Sequence, residues 1–446
     1  MIHPVLGILA VFVGLLLLIG FLRLAQKQWN LHPEFVRKCA HVLMGLVTLS
    51  FPWLFDEFWP VLVTGALALV ALISLRTVTT LKSRLGSVLG GVERESWGEF
   101  YFPIAVVLVY WLAEGDPLLY VVPILILTLA DAVGALVGTR YGLSKYETDE
   151  GRKSYEGSLA FFLVAFFAVH IPLLLLTPTG RAESLLTALT LAFLVTMMEA
   201  LAWRGLDNLF IPITAFFALD LYRHLTAGAL LERFIVLIIL ATIALIWRKH
   251  TTLTDSSALG GAVFGYITWT LGGWTWLVAP LILFLLYTKI GKEQGNKLSS
   301  RDMQAVIRVM SGPMIILFVA ISIPWAALIA VFYAAFGAHL ANVSVSREHT
   351  VHWEKTPLKF LAKSILISWL LFAAPYLAIM GLTYANTAIA LLMLLPVAIS
   401  AVIFYRTIRY SKIGADWKIV WFREGALAPV SAAVCVPPLL SMGGWT

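Results

Sequence analysis

Long apolar segments recur from one end of this 446-residue chain to the other and leave few charged residues between them. Hydrophobic residues make up 60% of the sequence and charged residues only 13%, whereas an ordinary soluble domain is about half apolar and about a quarter charged. A helix needs about 20 apolar residues to cross a bilayer, so the chain has room for about 14–16 transmembrane helices. The sequence therefore predicts an all-α, polytopic integral membrane protein and excludes disordered, fibrous and disulfide-framework proteins.

The apolar segments can be placed approximately along the chain. Segments 209–219 and 313–323 are short and are expected to be broken or re-entrant, and 313–340 would be one tilted helix if its two segments joined. The predicted spans are 5–24, 39–55, 58–75, 100–113, 117–137, 158–176, 184–201, 209–219, 229–247, 257–271, 274–287, 313–323, 324–340, 364–381 and 386–405, with a last apolar stretch at 426–440.

Basic residues are distributed unequally between the two sides of the predicted membrane. When the connections are assigned alternately to the two sides, all but three of the 32 Lys and Arg residues fall on one side, the exceptions being Arg181, Arg223 and Arg233. Basic loops mark the cytoplasmic side. We therefore predict an N-terminus outside and polar loops in the cytoplasm, in a prokaryotic plasma membrane. The net charge of +7 is then a consequence of topology and does not indicate nucleic-acid binding.

A cationic cluster lies at the start of the second predicted span. Arg37 and His41 are four residues apart and share one face of a helix, with Lys38 beside them. A snorkelling anchor at the membrane surface is one interpretation of this cluster, and a phosphate site is the other. A histidine beside two cations makes little sense as a packing residue, so phosphate binding is favoured.

One carboxylate, Asp131, lies inside an apolar span. A charge there costs about 2.5–3.5 kcal/mol on insertion scales, which makes an intramembrane acid a functional candidate by default. We expect Asp131 to hold Mg²⁺ or to position the acceptor hydroxyl. Gly134, Gly138 and Gly142 follow at intervals of four, a spacing that favours close helix packing and would also let a phosphate approach the backbone.

Residues 151–158 open the next predicted span with several polar side chains. Lys153 can neutralise phosphate, and the hydroxyl of Ser154 can bind an oxygen. The start of a helix adds backbone N–H groups, here at Gly157 and Ser158, while Glu156 is a candidate metal ligand. The stretch is not a P-loop, because the GxxxxGK[ST] pattern is absent. We predict a nucleotide-phosphate site with Lys153 as a catalytic residue; the alternative is an ordinary basic loop.

Two acidic clusters complete the polar residues at this edge of the membrane. Glu95 and Glu99 precede the fourth predicted span, and Glu199 is followed by Asp207 and Asn208. Either cluster can be a solvated loop or a set of ligands. Mg²⁺ is usually bound by one or two carboxylates together with substrate phosphates, so Asp207 is a further metal candidate and Asn208 a nucleotide-binding one.

These clusters combine cations suited to phosphates with carboxylates suited to a divalent metal. All lie near the predicted cytoplasmic boundary, where nucleotides are available on one side and lipids on the other. The combination indicates transfer from a nucleoside triphosphate to a membrane lipid, with Mg²⁺ as cofactor.

Residues from about 30 to 220 resemble the phytol and polyprenol (dolichol) kinases, which are related to phosphatidate cytidylyltransferase. The resemblance implies CTP as phosphate donor, Mg²⁺ and an isoprenoid alcohol as acceptor, such as phytol, geranylgeraniol, farnesol or a polyprenol. It also implies a membrane domain over residues 1–225 and a second membrane domain over 226–446. The matching residues are Arg37, Lys38, His41, Gly45, Glu95, Gly98, Glu99, Pro103, Asp131, Gly138, Gly142, Lys153, Ser154, Tyr155, Glu156, Gly157, Ser158, Glu199, Gly205, Asp207, Asn208 and Pro212.

Residues from about 250 to 350 are similar, more weakly, to the membrane family that includes phytyl-phosphate kinase. The similar stretches are 254–258, 272–276, 288–292 and 301–306. This resemblance implies a second phosphorylation, from the isoprenyl phosphate to the diphosphate. The Asp that this family carries in its Ala–Asp–Thr motif is absent here, where Asn342, Val343 and Ser344 follow Ala341.

Two other functions fit parts of the same pattern. A cytidylyltransferase would join CMP to a lipid phosphate and release pyrophosphate, since that family carries a similar Asp and a similar Lys–Thr–x–Glu–Gly stretch. A transporter would explain the many spans and the intramembrane Asp131. A transporter is expected to have a polar pathway at mid-membrane, whereas the polar residues here gather at one edge.

Overall fold

A computed structural model of the chain describes residues 3–77, 97–148, 151–201, 205–247, 254–292, 303–323, 327–351, 358–409 and 428–430. These residues are almost entirely helical, which confirms the prediction of an all-α membrane protein, and one short β-hairpin is added to the helices. Within the described ranges, eight helices are long and apolar enough to cross a membrane, and four shorter helices are also apolar. The chain divides into two compact units, residues 1–239 and 240–446.

The first unit carries most of the polar residues singled out from the sequence. It also contains an antiparallel hairpin, in which Lys145 pairs with Ser154 and Thr148 pairs with Gly151. Residues 149 and 150, between the two strands, are not among the described residues. The elements are α1 (Pro4–Trp29), α2 (Pro33–Leu49), α3 (Phe51–Leu54), α4 (Phe58–Thr77), α5 (Gly98–Ala113), α6 (Pro117–Leu125), a π-helical turn (Ile126–Ala130), α7 (Asp131–Tyr141), β1 (Lys145–Thr148), β2 (Gly151–Ser154), α8 (Tyr155–Leu176), α9 (Arg181–Ala200), α10 (Asp207–Tyr222) and α11 (Ala227–Trp247), which crosses the boundary between the units.

The second unit is built around one buried helix, α15, which packs against α13, α14, α16 and α18. Most of its residues between 327 and 346 are shielded by neighbouring helices. Its buried Asn342 is paired with a neighbouring helix, since the amide donates to Ser400 Oγ at 3.0 Å. The elements are α12 (Asp255–Gly272), α13 (Trp274–Lys292), α14 (Met303–Ser322), α15 (Ala327–Val351), α16 (Leu358–Met380), α17 (Tyr384–Leu392) and α18 (Leu394–Arg409).

The helix boundaries refine several of the predicted spans. Segment 209–219 belongs to α10, a continuous helix of 16 residues. Segments 313–323 and 324–340 fall in separate helices, because α14 ends at Ser322 and α15 begins at Ala327. Span 39–55 is divided between α2 and the short α3. The apolar stretch 426–440 lies outside the described residues except for the helical segment 428–430.

Several hydroxyl groups inside the apolar helices are satisfied locally. A bilayer core offers no water to a polar group, so each one needs a partner within the protein. Thr190 Oγ1 donates to the carbonyl of Leu186 at 2.8 Å, and Thr268 Oγ1 donates to the carbonyl of Phe264 at 2.7 Å. Bonding one turn back along the same helix keeps these residues compatible with an apolar environment.

The glycines after Asp131 form the contact between α7 and α8. A Cβ built on Gly134 would lie 3.0 Å from Cβ of Phe161, and one on Gly157 would lie 2.8 Å from the carbonyl oxygen of Gly134. A Cβ on Gly138 would lie 3.0 Å from Ser154 Oγ, and one on Gly142 would lie 2.7 Å from it. The four-residue spacing therefore produces the close helix packing that it predicts.

Replacing Gly157 with alanine is expected to destabilise the first unit by about 1–3 kcal/mol, because the new methyl group would press on the backbone of α7. Thermal unfolding in detergent measures the effect. The matched control is Gly20→Ala in α1, where a Cβ would meet no atom of the described residues within 4 Å. Equal melting temperatures for the two variants would contradict the packing role of Gly157.

Candidate functional site

Lys38 and Asp131 form an ion pair between α2 and the first residue of α7. Lys38 Nζ donates to Asp131 Oδ2 at 2.7 Å, and the two side chains are only 7% and 16% exposed. The residues are 93 positions apart in the sequence. The structure thus joins two of the predicted clusters, the cations of α2 and the intramembrane carboxylate. Charges this deeply buried are tolerated only when they are paired.

His41 and a π-helical turn complete the surroundings of Asp131. His41 Nε2 lies 3.0 Å from the carbonyl oxygen of Leu127 and 3.7 Å from Asp131 Oδ2. Leu127 belongs to the π turn, and such a turn changes the normal helical hydrogen bonding. π turns inside α-helices are frequent at functional sites. The hydropathy pattern gives no sign of this turn, so sequence analysis did not predict it.

Close packing holds the π turn against α2. A Cβ on Gly45 would overlap the side chain of Thr128, so only glycine allows this approach. The hydroxyl of Thr128 is buried and has no hydrogen-bond partner among the residues that the structure describes. Gly45 was noted in the sequence only as part of a motif, and the structure gives it a physical role beside Asp131.

Arg37 links Glu99 electrostatically to the Lys38–Asp131 pair. Arg37 is close enough to interact electrostatically with both Glu99 and Asp131. Phe102, one turn after Glu99 in α5, packs edge-on against His41 with ring centroids 5.1 Å apart. The α2 cations, Asp131 and the start of α5 therefore form one cluster, which we call the deep cluster (Arg37, Lys38, His41, Glu99 and Asp131).

A second ion pair links the hairpin to the end of α9. Lys153 Nζ donates to Glu199 Oε1 at 2.7 Å and also to the carbonyl oxygen of Glu199. Burial alone would lower the pKa of Lys153, but Glu199 and Asp207 outweigh it and raise the pKa above the ordinary value for lysine. Lys153 is therefore a charged ammonium at neutral pH. We call Lys153, Glu199 and Asp207 the hairpin cluster.

Two carboxylate oxygens in the hairpin cluster have no partner in the described part of the chain. Glu199 Oε2 and Asp207 Oδ1 are both buried and make no hydrogen bond there. Mg²⁺ binds one or two protein carboxylates and completes its coordination with water and substrate phosphates. Glu199 and Asp207 therefore provide a donor set that suits Mg²⁺ held by a nucleotide.

The predicted metal ligands are not gathered in one place. Asp131 is paired with Lys38, and Glu156 Oε1 accepts the backbone N–H of Ser144 at 3.1 Å, which closes the base of the hairpin. Among the residues that the structure describes, no group of three His, Cys, Asp or Glu side chains is arranged to hold a metal. A metal at Asp207 therefore needs ligands from Glu199 and from substrate.

The start of α8 already uses several of its backbone donors. Ser154 Oγ accepts from the N–H of Gly157 at 3.1 Å, and the N–H of Tyr155 donates to the carbonyl of Ser144 at 3.0 Å. Ser158 Oγ lies 2.8 Å from the hydroxyl of Tyr146. These contacts hold the hairpin that presents Lys153. Phosphate binding by Ser154, Gly157 and Ser158, or by Gly138 and Gly142, stays a prediction.

The remaining predicted residues have structural neighbours or lie outside the description. The amide of Asn208 donates to the carbonyl of Gly98 at 2.9 Å and so ties the start of α10 to the start of α5. Glu95 lies outside the described residues. The residues of both clusters can be identified from the sequence motifs, but the contacts between residues that are distant in the sequence cannot.

Comparison with known proteins identifies one curated relative. The chain is 30% identical over 211 residues to the phytol kinase of Synechocystis sp., and the alignment covers 46% of this chain and 86% of that protein. No protein-family model matches the chain. No solved structure matches it either.

Proposed function

The chain belongs to the phytol kinase family, and from that premise we propose that it transfers the γ-phosphate of CTP to the hydroxyl of an isoprenoid alcohol, with Mg²⁺, at the cytoplasmic face of a prokaryotic plasma membrane. The protein is a membrane-bound phosphotransferase that acts on an isoprenoid alcohol. The donor, the metal and the topology are the proposal. The observation that carries it is the pairing of a buried lysine, Lys38, and a partly buried one, Lys153, with carboxylates.

Phosphoryl transfer depends mainly on alignment and on neutralising the charge of the phosphates. We assign the hairpin cluster to the nucleotide. Lys153 would neutralise phosphate oxygens, while Glu199 and Asp207 would hold Mg²⁺, which would supply further positive charge to the phosphates. Glu156 stays a further metal candidate, since its Oε1 accepts the Ser144 N–H but its Oε2 has no partner in the described part of the chain.

We assign the deep cluster to the lipid hydroxyl. Asp131 is the first residue of α7, and Tyr141 is the last residue of that helix, ten positions later. Ten residues correspond to about 15 Å along a helix. A hydroxyl that reaches this depth sideways from the bilayer meets a carboxylate able to accept its hydrogen bond. Lys38 and Arg37 then offset the charge on the incoming phosphate.

Phosphoryl transfer from CTP to the alcohol needs no further reactant. The alcohol oxygen attacks the γ-phosphorus, the bond from that phosphorus to the bridging oxygen breaks, and CDP leaves. Asp131 takes the hydroxyl proton and passes it to solvent. Asp131 lies in the ion pair with Lys38 in this structure, so the incoming phosphate must draw Lys38 away from it before the proton can be accepted.

A donor and metal assay tests this proposal. The purified protein is incubated with phytol and, separately, CTP, ATP, GTP or UTP, with Mg²⁺ or with EDTA, and the isoprenyl monophosphate is quantified. We expect CTP with Mg²⁺ to be the best combination and EDTA to abolish product. A faster reaction with ATP would overturn the choice of donor, and unchanged turnover in EDTA would overturn the metal.

For the second unit we propose the second phosphorylation, from isoprenyl phosphate to diphosphate. The supporting observation is a group of hydroxyls at the start of α12, where Ser256 and Ser257 are almost fully buried and Thr254 caps the helix. The three hydroxyls hydrogen-bond to one another, and a helix N-terminus suits an anion. Formation of isoprenyl diphosphate from monophosphate and CTP is the expected result, and a product that stays a monophosphate would remove this step.

A further inference from the structure

One face of α2 contacts the helical segment that carries Asp131 at three successive points. The contacts pair Lys38 with Asp131, His41 with Leu127 and Gly45 with Thr128. The three α2 residues are three and four positions apart, so they share that face of the helix. Leu127 and Thr128 belong to the π turn that precedes Asp131. α2 therefore packs against the turn as well as against the carboxylate.

His41 contacts a backbone carbonyl whose bonding depends on the π turn. In a regular α-helix the carbonyl of Leu127 would accept from the N–H of Asp131, four residues later. N–H groups in a π turn bond five residues back instead, so one carbonyl at the turn loses its usual donor. His41 Nε2 lies 3.0 Å from the Leu127 carbonyl oxygen. Because a carbonyl only accepts, Nε2 must carry the ring proton, and His41 supplies a donor at the turn.

The π turn also determines the direction in which Asp131 points. Each residue of an α-helix advances the side-chain direction by about 100°, so the extra residue of a π turn rotates the residues after it by about that angle. Asp131 follows the turn directly as the first residue of α7, and its carboxylate lies 2.7 Å from Lys38 Nζ. A regular α-helix at this point would direct the carboxylate to a different side of the helix.

We propose that His41 is a positioning residue: it donates to the Leu127 carbonyl and stabilises the π turn, which directs the Asp131 carboxylate toward the acceptor hydroxyl. This inference rests on the proposed function and gives His41 a different role from the phosphate binding that the sequence predicts. The Nε2 proton of His41 is already donated to the turn, and the ring packs edge-on against Phe102. A residue that acts through Asp131 should affect the chemical step and not the affinity for CTP.

Two substitutions at His41 separate hydrogen bonding from packing. His41→Phe keeps a ring against Phe102 but has no N–H, whereas His41→Gln keeps a donor near the position of Nε2 and loses the ring. With phytol as acceptor, we expect His41→Phe to lower kcat about tenfold to a hundredfold, because its reacting carboxylate is misplaced. The KM of His41→Phe for CTP should stay within about twofold of wild type, and His41→Gln should restore kcat to within about fivefold.

Tyr120→Phe provides the matched control. The hydroxyl of the buried Tyr120 donates to the carbonyl of Thr48 at 2.8 Å, which is another contact between α6 and α2 but lies outside the π turn. Its loss should lower the melting temperature and leave kcat within about twofold of wild type. Three results would each overturn the positioning role: a KM for CTP raised about tenfold in His41→Phe, activity kept by His41→Phe but lost in His41→Gln, or an equal loss of kcat in Tyr120→Phe.

A measurement without turnover keeps this inference separate from the kinase assignment. In protein labelled with ¹⁵N-histidine, the His41 resonances are those missing from His41→Gln, and their chemical shifts tell which ring nitrogen is protonated. We expect a protonated Nε2 in the wild type. A bare Nε2 would overturn the bond to Leu127 even if the protein is a kinase, whereas absence of isoprenyl phosphate from the wild-type reaction would overturn the function and not this bond.

Discussion

Replacing Asp131 with asparagine is expected to lower kcat/KM for isoprenoid phosphorylation about a thousandfold, the range found for loss of a positioned acid or base. Asparagine keeps the shape of the side chain but cannot take the hydroxyl proton. The measurement is the rate of isoprenyl monophosphate formation at saturating CTP.

Stability must be separated from catalysis in this variant. Asp131→Asn leaves Lys38 as a buried charge without its carboxylate, and breaking such a pair costs about 3–5 kcal/mol. The double variant Lys38→Met/Asp131→Asn removes both charges and should melt close to wild type, yet it should remain inactive. A double variant that is folded and turns over at the wild-type rate would remove Asp131 and Lys38 from the mechanism.

Replacing Lys153 with methionine is expected to lower kcat/KM for CTP about a hundredfold, because the nucleotide phosphates lose their buried cation. Methionine preserves the length of the apolar stem. The raised pKa of Lys153 keeps this side chain charged across the neutral range, so the loss should be the same at every pH in that range. Initial rates over a range of CTP concentrations measure it.

Arg152 provides the matched control for Lys153. It precedes Lys153 in the same strand, but its side chain is 70% exposed and pairs with the exposed Glu147 at 3.5 Å. An exposed pair of this kind contributes little, so Arg152→Met should keep kcat/KM within about twofold. Similar losses for Arg152→Met and Lys153→Met would indicate a general effect of charge in the hairpin instead of a buried phosphate contact.

The helical membrane fold could be predicted from the sequence because each span carries its own signal. Apolar length and the four-residue glycine spacing are local properties, and the structure has both the helices and the Gly134–Phe161 contact that they predict. The hairpin over 145–154 was not predicted. Its strands are polar and only four residues long, so they show no hydropathy pattern.

The candidate site could be predicted only as separate pieces. Arg37, Lys38, His41 and Asp131 were each selected for their chemistry, but the ion pair between Lys38 and Asp131 spans 93 residues and depends on how α2 packs against α7. The π turn before Asp131 and the bond from Lys153 to Glu199 likewise arise from packing. Local sequence therefore indicates which polar residues are candidates and leaves their partners open.

The most direct test of the central claim follows the phosphorus atoms of CTP. The purified protein is incubated with phytol and Mg²⁺, and CTP carries its label on either the α- or the γ-phosphate. An isoprenoid-alcohol kinase should place label in the lipid product from the γ position alone. Label from the α position alone would mean that CMP had been joined to a lipid, as in a cytidylyltransferase, and would contradict the kinase assignment.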